Sequence, residues 1–361
     1  MEPLFRASAP TNAPVRIGVV GAGRIGLRHV ELIRRSLECE LAGVVDPDPR
    51  AARLTSVGDA PWYRTLDEML SAGAPDGVIV ATPNTLHVAH ALRCMAAGIA
   101  VLVEKPIATT VTDGVRMAEM SEHQGVPLLV GHHRRYSPPL VAAREILADW
   151  RLGDVVAVTA ATMFAKPDDY FAAAAWRRER GGGPILINLI HDVDALRMLL
   201  GDVLSVQAVA TNMVRGFPVE ETVAVTMRFS SGALGSLLLS DTAAAPLSWE
   251  LTAGEDPAFP HHADRDCYVV AGTRGTLGIP TMRLLTSDGA PSWHRPLVPS
   301  VSHVVPADPM SRQLEHFCAV IRRHEEPLAS GRDAVETLRV TLAVAEAAQT
   351  GRAVACGPVE P

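Results

Sequence analysis

The sequence lacks the features that mark membrane-spanning, nucleic-acid-binding and secreted proteins. None of its apolar runs approaches the ~18 residues that a transmembrane helix needs. Its 33 Lys and Arg are outnumbered by 40 Asp and Glu, so no basic excess is present for nucleic acid. The first 14 residues contain no basic segment followed by an apolar stretch, and we expect a flexible tail there rather than a signal peptide. We therefore expect no membrane and no nucleic acid among its partners.

Cysteine is also scarce, and its spacing excludes two kinds of site. The five cysteines are scattered, odd in number and without a CxxC pair. This pattern argues against a disulfide framework and against a zinc site built from thiolates. Because free thiols are typical of reducing compartments, the sequence predicts a cytoplasmic protein.

Apolar residues make up 48% of the chain, which is enough for a large core. At ~150 residues per domain, 361 residues predict two domains. In the first, short apolar runs alternate with helical stretches, which is typical of a parallel sheet covered on both faces. The runs begin at residues 15, 41, 77, 99 and 126.

After the SPP segment at 137–139 the pattern changes. Runs that alternate apolar with polar or small residues follow one another with little helix between them, which predicts an antiparallel or mixed sheet. These runs cover 154–164, 204–212, 222–229 and 234–240. Helical patterns cover 188–200, 310–323 and 332–349, and a loop rich in Pro, His and acid covers 254–266.

The first apolar run leads into a glycine motif with a physical role. Gly21, Gly23 and Gly26 form GxGxxG between a predicted strand and a predicted helix, the context in which this motif binds a dinucleotide. Asp46 ends the second strand, 20 residues after Gly26. A carboxylate there accepts hydrogen bonds from ribose hydroxyls and repels a 2′-phosphate, so NAD is favoured. Arg50 and Arg53 lie near enough in sequence to leave NADP open.

Two polar triplets follow the third and fourth predicted strands. They are Thr82-Pro83-Asn84 and Glu104-Lys105-Pro106. Because ligands bind beyond the carboxyl ends of strands in an open α/β sheet, both triplets are expected at the cofactor crevice. Pro106 disfavours helix at Lys105 and so holds that lysine in an extended loop.

With these motifs, the chain resembles the Gfo/Idh/MocA oxidoreductases over nearly its whole length. The matching segments are VGAGRIG, VVDPDP, VATPNTLHVAHA, GIAVLVEKPIA, VGHHRRYSP, GGGPILINLIHDVDALRMLLG and SGRDAVETLRVTLAVAEAAQTGRAV. The resemblance implies an α/β fold, with a Rossmann domain over 15–135 and, over 136–361, an α/β domain on a large open, mixed, mainly antiparallel sheet. It also implies NAD(P)-dependent chemistry on sugars, cyclic polyols and related alcohols or ketones, and a homodimer or homotetramer formed through that sheet.

The resemblance places the catalytic lysine at Lys105 and the catalytic histidine at His191. Relatives similar to inositol dehydrogenase have an aspartate four residues before that histidine, where this chain has Ile187. Histidine suits a general acid/base because its pKa is near neutrality, and a lysine cation suits a developing oxyanion. Asn188 and Asp194, each three positions from His191 on a predicted helix, are candidates to orient its ring.

The remaining site residues fall into two sets. We expect the imidazole of His87 to approach the nicotinamide and a tryptophan–arginine pair to lie near the substrate; no metal site is expected. The expected cofactor-binding residues are Gly21, Gly23, Arg24, Ile25, Gly26, Asp46, Thr82, Pro83, Asn84, His87, Glu104 and Lys105. The expected substrate-binding residues are Arg135, Tyr136, Trp176, Arg177 and His191.

The sequence thus favours an NAD(P)-dependent dehydrogenase or reductase of a sugar, cyclic polyol, or related hydroxy acid or cyclic diol. Two alternatives stay open at this point. One is a glycosidase that uses bound NAD for a transient oxidation. The other is a non-catalytic regulator that binds a dinucleotide, although such a protein needs neither Lys105 nor His191.

Overall fold

A computed structural model describes residues 13–55 and 60–357. The predicted tail at 1–14 lies, except for its last two residues, outside this part of the chain. The strands are β1 (Val15–Val20), β2 (Cys39–Val45), β3 (Trp62–Tyr63), β4 (Gly77–Val80), β5 (Ala100–Val103), β6 (Leu128–Val130), β7 (Val155–Met163), β8 (Val203–Thr211), β9 (Thr222–Phe229), β10 (Leu234–Ser240), β11 (Tyr268–Gly272), β12 (Gly275–Ile279), β13 (Arg283–Thr286), β14 (Val298–Val301) and β15 (Val354–Ala355). The helices are α1 (Arg24–Arg35), α2 (Arg50–Thr55), α3 (Leu66–Gly73), α4 (His87–Ala96), α5 (Val111–Gln124), α6 (Pro138–Ala148), α7 (Asp168–Ala172), α8 (Ile190–Leu200), α9 (Trp249–Thr252), α10 (Pro309–Ile321) and α11 (Gly331–Thr350).

The chain forms two compact units. The first contains residues up to His133 together with Pro309–Leu338, and the second contains Arg134–Asp308 and the residues from Arg339 onward. The sequence predicts instead a contiguous second domain over 136–361. The difference arises because α10 packs on the first sheet: a Cβ added to Gly77 of β4 would lie 2.6 Å from Cδ1 of Ile321 and 2.9 Å from Cζ of Phe317.

The first unit has a six-stranded parallel sheet in the order β3-β2-β1-β4-β5-β6. Its strands β4, β5 and β6 are buried at every position, which explains their uninterrupted apolar sequences. The strand order reverses between β1 and β4, and this switch point is where open α/β sheets bind ligands. The α/β fold predicted for this region is confirmed.

The second unit has a nine-stranded sheet in the order β14-β13-β12-β11-β7-β10-β9-β8-β15. Among the described strands of this second sheet, only β7 and β10 pair in parallel, and the other pairs are antiparallel. Residues of β9 are alternately buried and exposed, as a sheet with one covered face requires. The predicted mixed, mainly antiparallel sheet is confirmed, with strands β7 to β10 close to their predicted bounds.

Four strands of this sheet, β11 to β14, have no counterpart among the predicted runs. They are short, and two of them carry glycine at an end or in the interior, as in GTLGI of β12. Such segments show little periodicity. Their pairing with β7 and with one another, rather than their own pattern, defines them as strands.

Phe317→Ala tests the assignment of α10 to the first unit. Phe317 is fully buried, so its truncation should lower the free energy of unfolding by about 3–5 kcal/mol, as expected for a core aromatic residue. Urea denaturation measures the change. The control is Trp293→Ala, since Trp293 is 93% exposed and a surface change of this kind costs about 0.5 kcal/mol or less. Equal stability of the two variants would contradict the assignment.

Candidate active site

The glycine loop between β1 and α1 allows two close backbone approaches. Gly21 has φ +97°, and a Cβ there would lie 2.6 Å from the carbonyl oxygen of Ala81. A Cβ at Gly26 would lie 1.9 Å from the carbonyl oxygen of Gly21. Any side chain at either position would therefore displace the loop from the end of β4.

The start of α1 has the space and polarity that a phosphate group requires. A Cβ added to Gly23 would meet no atom within 4 Å, and no side chain of the described residues caps the helix. Arg24 and Ile25 occupy the first turn, and both are exposed. The first N–H groups of α1 are thus accessible to an anion, so these residues fit the pyrophosphate of a dinucleotide.

Asp46 follows β2 and fixes the neighbouring loops. Its Oδ2 accepts a hydrogen bond from the backbone N–H of Ala22 (2.8 Å), and its Oδ1 accepts one from the N–H of Asp48 (2.9 Å). The carboxylate is half-buried, beside the glycine loop. Arg50, which left NADP open, is bound to Asp48 through Nε at 2.8 Å.

The loop after β4 is tied to the loop after β5 by His87. Its imidazole is 1% exposed, with Nδ1 2.9 Å from the carbonyl oxygen of Pro106 and Nε2 2.9 Å from that of Thr82. Burial lowers the pKa of His87, although the two carbonyls act in the opposite direction. The expectation that this ring approaches the nicotinamide needs correction, because both of its nitrogens are engaged by the backbone.

Thr82, Pro83 and Asn84 lie in the same loop, directly after β4. A short 3₁₀ turn, Asn84–Leu86, carries the chain from this triplet into α4. Asn84 lies in this turn and Pro83 at its N-terminal cap, so both are at the carboxyl edge of the sheet that is expected to face the cofactor.

Glu104, which follows β5, forms a buried pair with His29 of α1. His29 Nε2 lies 2.8 Å from Glu104 Oε1, and both side chains are almost inaccessible to solvent. Burial acts to raise the pKa of Glu104, but the hydrogen bond from His29 and the charges of His29, His133 and Lys105 lower it to about 2. The half-buried Lys105 donates its backbone N–H to Glu104 Oε2 (3.3 Å), so an ionised carboxylate holds the loop that carries the lysine.

His191 lies in the second unit, at the start of α8, and is 7% exposed. The sequence predicts a helix from residue 188, whereas the structure has a π-helical turn, Ile185–Leu189, before α8 begins. In this turn Ile185 donates its N–H to Glu220 Oε1 (3.0 Å). Glu220 belongs to the connection between β8 and β9, so the local sequence pattern around residue 188 gives no signal of this contact. π-Turns of this kind are frequent at functional sites.

Two arginines fix α8, and neither pairing is evident in the sequence. Arg134 Nη1 lies 2.8 Å from Asp192 Oδ1, Arg134 Nη2 lies 2.7 Å from Glu250 Oε1, and Tyr268 donates its hydroxyl to Asp192 (2.5 Å). Burial raises the pKa of Asp192 against the opposing effect of Arg134. The helix that carries His191 is therefore held by a buried, hydrogen-bonded ion pair.

Arg135 and Asp194 form the second pair. The guanidinium donates from Nε to Oδ2 (2.8 Å) and from Nη2 to Oδ1 (2.6 Å), and both side chains are buried. Tyr136 is buried as well. The fork of Arg135 binds both oxygens of Asp194, which gives the pair a structural role in holding α8; that Asp194 orients His191 and that Arg135 contacts substrate stay predictions.

Asn188 is held by a residue that the sequence analysis missed. Lys166 donates from Nζ to Asn188 Oδ1 (2.7 Å), and the same Nζ lies 3.2 Å from Asp241 Oδ2. An isolated lysine in a loop carries no sequence signal for such a role. The expected orienting role of Asn188 is thus modified, because its amide oxygen is directed to a lysine.

Trp176 and Arg177 lie in a 3₁₀ turn, Ala175–Arg178, near α7. Trp176 is 51% exposed. The Arg177 guanidinium lies 4.0 Å from the centroid of the Tyr170 ring and donates to the Tyr170 carbonyl oxygen (2.5 Å). Trp176 is therefore accessible to a ligand, whereas Arg177 is half-buried against Tyr170.

Residues 13–55 and 60–357 show neither a metal-binding cluster nor a membrane-spanning helix. They contain no group of three or more His, Cys, Asp or Glu arranged to hold a metal ion. Nor do they contain a helix long and apolar enough to cross a membrane.

Comparison with protein families defines the class of protein. The model of an oxidoreductase family with an NAD-binding Rossmann fold matches residues 15–132, where the glycine loop and Lys105 lie. The model of the GFO/IDH/MocA C-terminal domain matches residues 140–278, which include His191. The chain belongs to the Gfo/Idh/MocA oxidoreductase family, and the predicted family and NAD cofactor are confirmed.

Named relatives match over nearly the whole chain. Inositol 2-dehydrogenase of Rhizobium meliloti (strain 1021) is 28% identical over 341 residues, covering 92% of this chain and 96% of the relative. The 1,5-anhydro-D-fructose reductase of Ensifer adhaerens is 29% identical over 343 residues, covering 94% and 97%. The WlbA dehydrogenase from Bordetella pertussis, solved in complex with NADH and UDP-GlcNAcA, is 26% identical with a TM-score of 0.75, covering 96% and 100%. This chain is an NAD(P)-dependent dehydrogenase or reductase, and the glycosidase and regulator alternatives are not favoured.

The Glu104–His29 pair predicts how stability depends on pH. The folded pKa of Glu104, about 2, is below its ordinary 4.5, so the stability it contributes is present above pH 4.5 and is lost as pH falls toward 2. At ~1.4 kcal/mol per pKa unit this amounts to about 3 kcal/mol. Glu104→Gln should therefore lose less unfolding free energy than wild type between pH 5 and pH 3, as measured by urea denaturation.

A matched control for this experiment is Glu40→Gln, which makes the same charge change on a side chain that is 59% exposed. It should follow the wild-type pH dependence. If Glu104→Gln also follows it, the pair does not depend on the Glu104 charge.

Proposed function

We propose that this enzyme transfers hydride between NAD and a hydroxyl-bearing carbon of a sugar or cyclic polyol. The observation that carries the proposal is the position of Lys105, directly after β5 of an NAD-binding sheet and beside an ionised Glu104. The names of the full-length relatives, an inositol dehydrogenase and an anhydrofructose reductase, support the substrate class. Related hydroxy acids and cyclic diols belong to the same chemical class.

The first unit would hold the cofactor. Bound NAD supplies the hydride acceptor. We assign its pyrophosphate to the start of α1 at Gly21, Gly23, Arg24, Ile25 and Gly26, and its ribose to Asp46. The loop Thr82–Pro83–Asn84 would border the nicotinamide end of the cofactor. The role of His87 would be to hold this loop in place, and its imidazole would not contact the nicotinamide itself.

Lys105 and His191 would carry the charge and the proton. As a hydroxyl is oxidised, its oxygen becomes anionic, and the Lys105 ammonium is suited to stabilise it. His191 would accept the hydroxyl proton and return it in the reverse direction, since imidazole changes charge near neutral pH. The fixation of α8 through Asp192 and Asp194 supports this role, because proton transfer requires a ring in a defined position. Trp176 is assigned to substrate contact because it is exposed, and Arg177 because its guanidinium lies 5.6 Å from the centroid of the Trp176 ring.

The test is NADH formation with myo-inositol, D-glucose, D-glucuronate and cis-cyclohexane-1,2-diol, with NADP in parallel. We expect turnover of at least one with NAD, and a lower rate with NADP because the Asp46 carboxylate repels a 2′-phosphate. Lys105→Ala and His191→Asn should each lower kcat by about 10²- to 10⁴-fold, the usual contribution of a charge stabiliser or an acid/base. Arg332→Met, in an exposed ion pair with Glu122, is the control.

Wild-type inactivity on all four compounds with both NAD and NADP, although NADH still binds, would overturn the proposed reaction. Full activity of Lys105→Ala and His191→Asn would overturn the assignment of the residues while leaving the reaction in place.

We also propose that the enzyme is cytoplasmic and assembles as a homodimer or homotetramer through its second sheet. All five cysteines are buried free thiols, which supports a reducing compartment. On the sheet, Val209 of β8 pairs with Ala224 of β9, and Ala224 pairs with Leu238 of β10. Val209 is 70% exposed and Leu238 40% exposed, so this row presents an apolar face that a second copy would cover.

Val209→Lys tests the assembly. A charge in this row should make association unfavourable, so light scattering should give a multiple of 38.4 kDa for wild type and 38.4 kDa for the variant. Leu37→Lys makes the same change at a residue that is 95% exposed outside the sheet, and it should keep the wild-type mass. A wild-type mass of 38.4 kDa would overturn the assembly.

A further inference from the structure

The segment between β7 and α7 buries a lysine in a fixed position. The Lys166 side chain is 7% exposed. Its backbone N–H donates to the Asp241 carbonyl oxygen (2.9 Å), and its own carbonyl accepts from Arg215 Nη2 (3.1 Å). The backbone at Lys166 is thus bound on both sides, and the ammonium is held by Asp241, whose Oδ2 lies 3.2 Å from Nζ.

This ammonium determines the orientation of the Asn188 carboxamide. A lysine ammonium only donates hydrogen bonds. A carboxamide has two ends of similar size: its oxygen accepts hydrogen bonds and its NH₂ donates them. The contact of 2.7 Å between Lys166 Nζ and Asn188 therefore requires Oδ1 on the lysine side. Nδ2 then points away from Lys166.

Asn188 lies where a substrate contact is useful. It is half-buried and belongs to the π-helical turn Ile185–Leu189, three residues before His191. Three residues span no more than one helical turn, so the amide lies within one turn of the imidazole along the segment. Within residues 13–55 and 60–357, Asn188 Nδ2 has no protein hydrogen-bond partner, so its two N–H donors remain for a ligand.

We propose that Lys166 is a positioning residue for substrate recognition: it fixes the Asn188 amide so that Nδ2 donates to an oxygen of the polyol next to the reacting carbon. The proposal rests on the function proposed above. It specifies the substrate chemistry, because an alcohol without a neighbouring hydroxyl or ring oxygen offers no acceptor to this amide. Removal of Lys166 would leave the amide free to turn its oxygen toward the substrate.

Replacement of Lys166 by a neutral residue would not leave the buried Asp241 carboxylate without a cationic partner. Asp241 is shared, since Arg215 Nη1 also lies 2.5 Å from Asp241 Oδ1. In Lys166→Met, Asp241 therefore keeps its arginine, and the methionine retains most of the apolar contact with the Tyr170 and Phe164 rings that lie near Nζ. This variant should fold.

The experiment is a double-mutant cycle of Lys166→Met and Asn188→Leu, assayed with whichever of the four test compounds the wild type turns over fastest. Asn188→Leu should lower kcat/KM by about 10- to 100-fold, as expected when a hydrogen bond to a substrate oxygen is lost. Lys166→Met should lower it by about 5- to 50-fold, because the amide is no longer held. The double variant should fall within about 2-fold of Asn188→Leu, since Lys166 acts only through Asn188.

Two further measurements separate positioning from general damage. The Kd for NADH should stay within about 2-fold of wild type in each variant, since the cofactor residues belong to the first unit. Lys166→Arg, which keeps a cationic donor, should recover most of the activity lost in Lys166→Met. The control Arg283→Met removes an exposed cation from its pair with Asp266 in the same unit and should leave kcat/KM unchanged.

Three outcomes of these experiments would overturn the proposal. Losses that multiply in the double variant would overturn the proposal, because they would mean that Lys166 acts independently of Asn188. Normal kcat/KM in Asn188→Leu would overturn it as well, and that readout does not require Lys166→Met to fold. Wild-type inactivity on all four compounds would instead overturn the proposed function, and this proposal with it.

Discussion

The pairing of buried charges is the constraint on which both units depend. A charged group removed from water is tolerated only when another group compensates it, so each such residue defines its partner's position. Glu104 is compensated by His29, Asp192 by Arg134, and Asp194 by Arg135. Each pair fixes a segment that carries a candidate catalytic residue: the Lys105 loop in the first unit and the His191 helix in the second.

The parts of the fold that sequence alone predicts are those with a local physical cause. β1 is apolar from Ile17 to Val20 because those residues are buried, and Gly21 and Gly26 must lack side chains because backbone lies where a Cβ would be. These requirements produce patterns only a few residues long, which can be recognised in the sequence. They account for the correct prediction of the parallel sheet, the NAD motif and the family.

What the sequence does not reveal depends on partners far apart in the chain. Arg134 and Asp192 are 58 residues apart, and Lys166 and Asn188 are 22 apart. Nothing near Lys166 in sequence distinguishes it from a solvated loop lysine. The assignment of α10 to the first unit has the same origin, since its packing against Gly77 joins residues that no local pattern connects.

Ile187 occupies the position at which inositol-dehydrogenase-like relatives are expected to have an aspartate. In this chain the polar side chain nearest in sequence is that of the next residue, Asn188. A π-helical turn contains more residues than an α-helical one, so the side chains of Ile185–Leu189 do not follow the spacing of an ordinary helix. Asn188 lies in this turn, and its oxygen is directed to Lys166. The acidic residues of α8, Asp192 and Asp194, meanwhile bind arginines. An aspartate at position 187 would be negatively charged and would accept hydrogen bonds. The Asn188 amide, held by Lys166, is neutral and presents N–H donors, so this site differs from that of such relatives in both charge and hydrogen bonding.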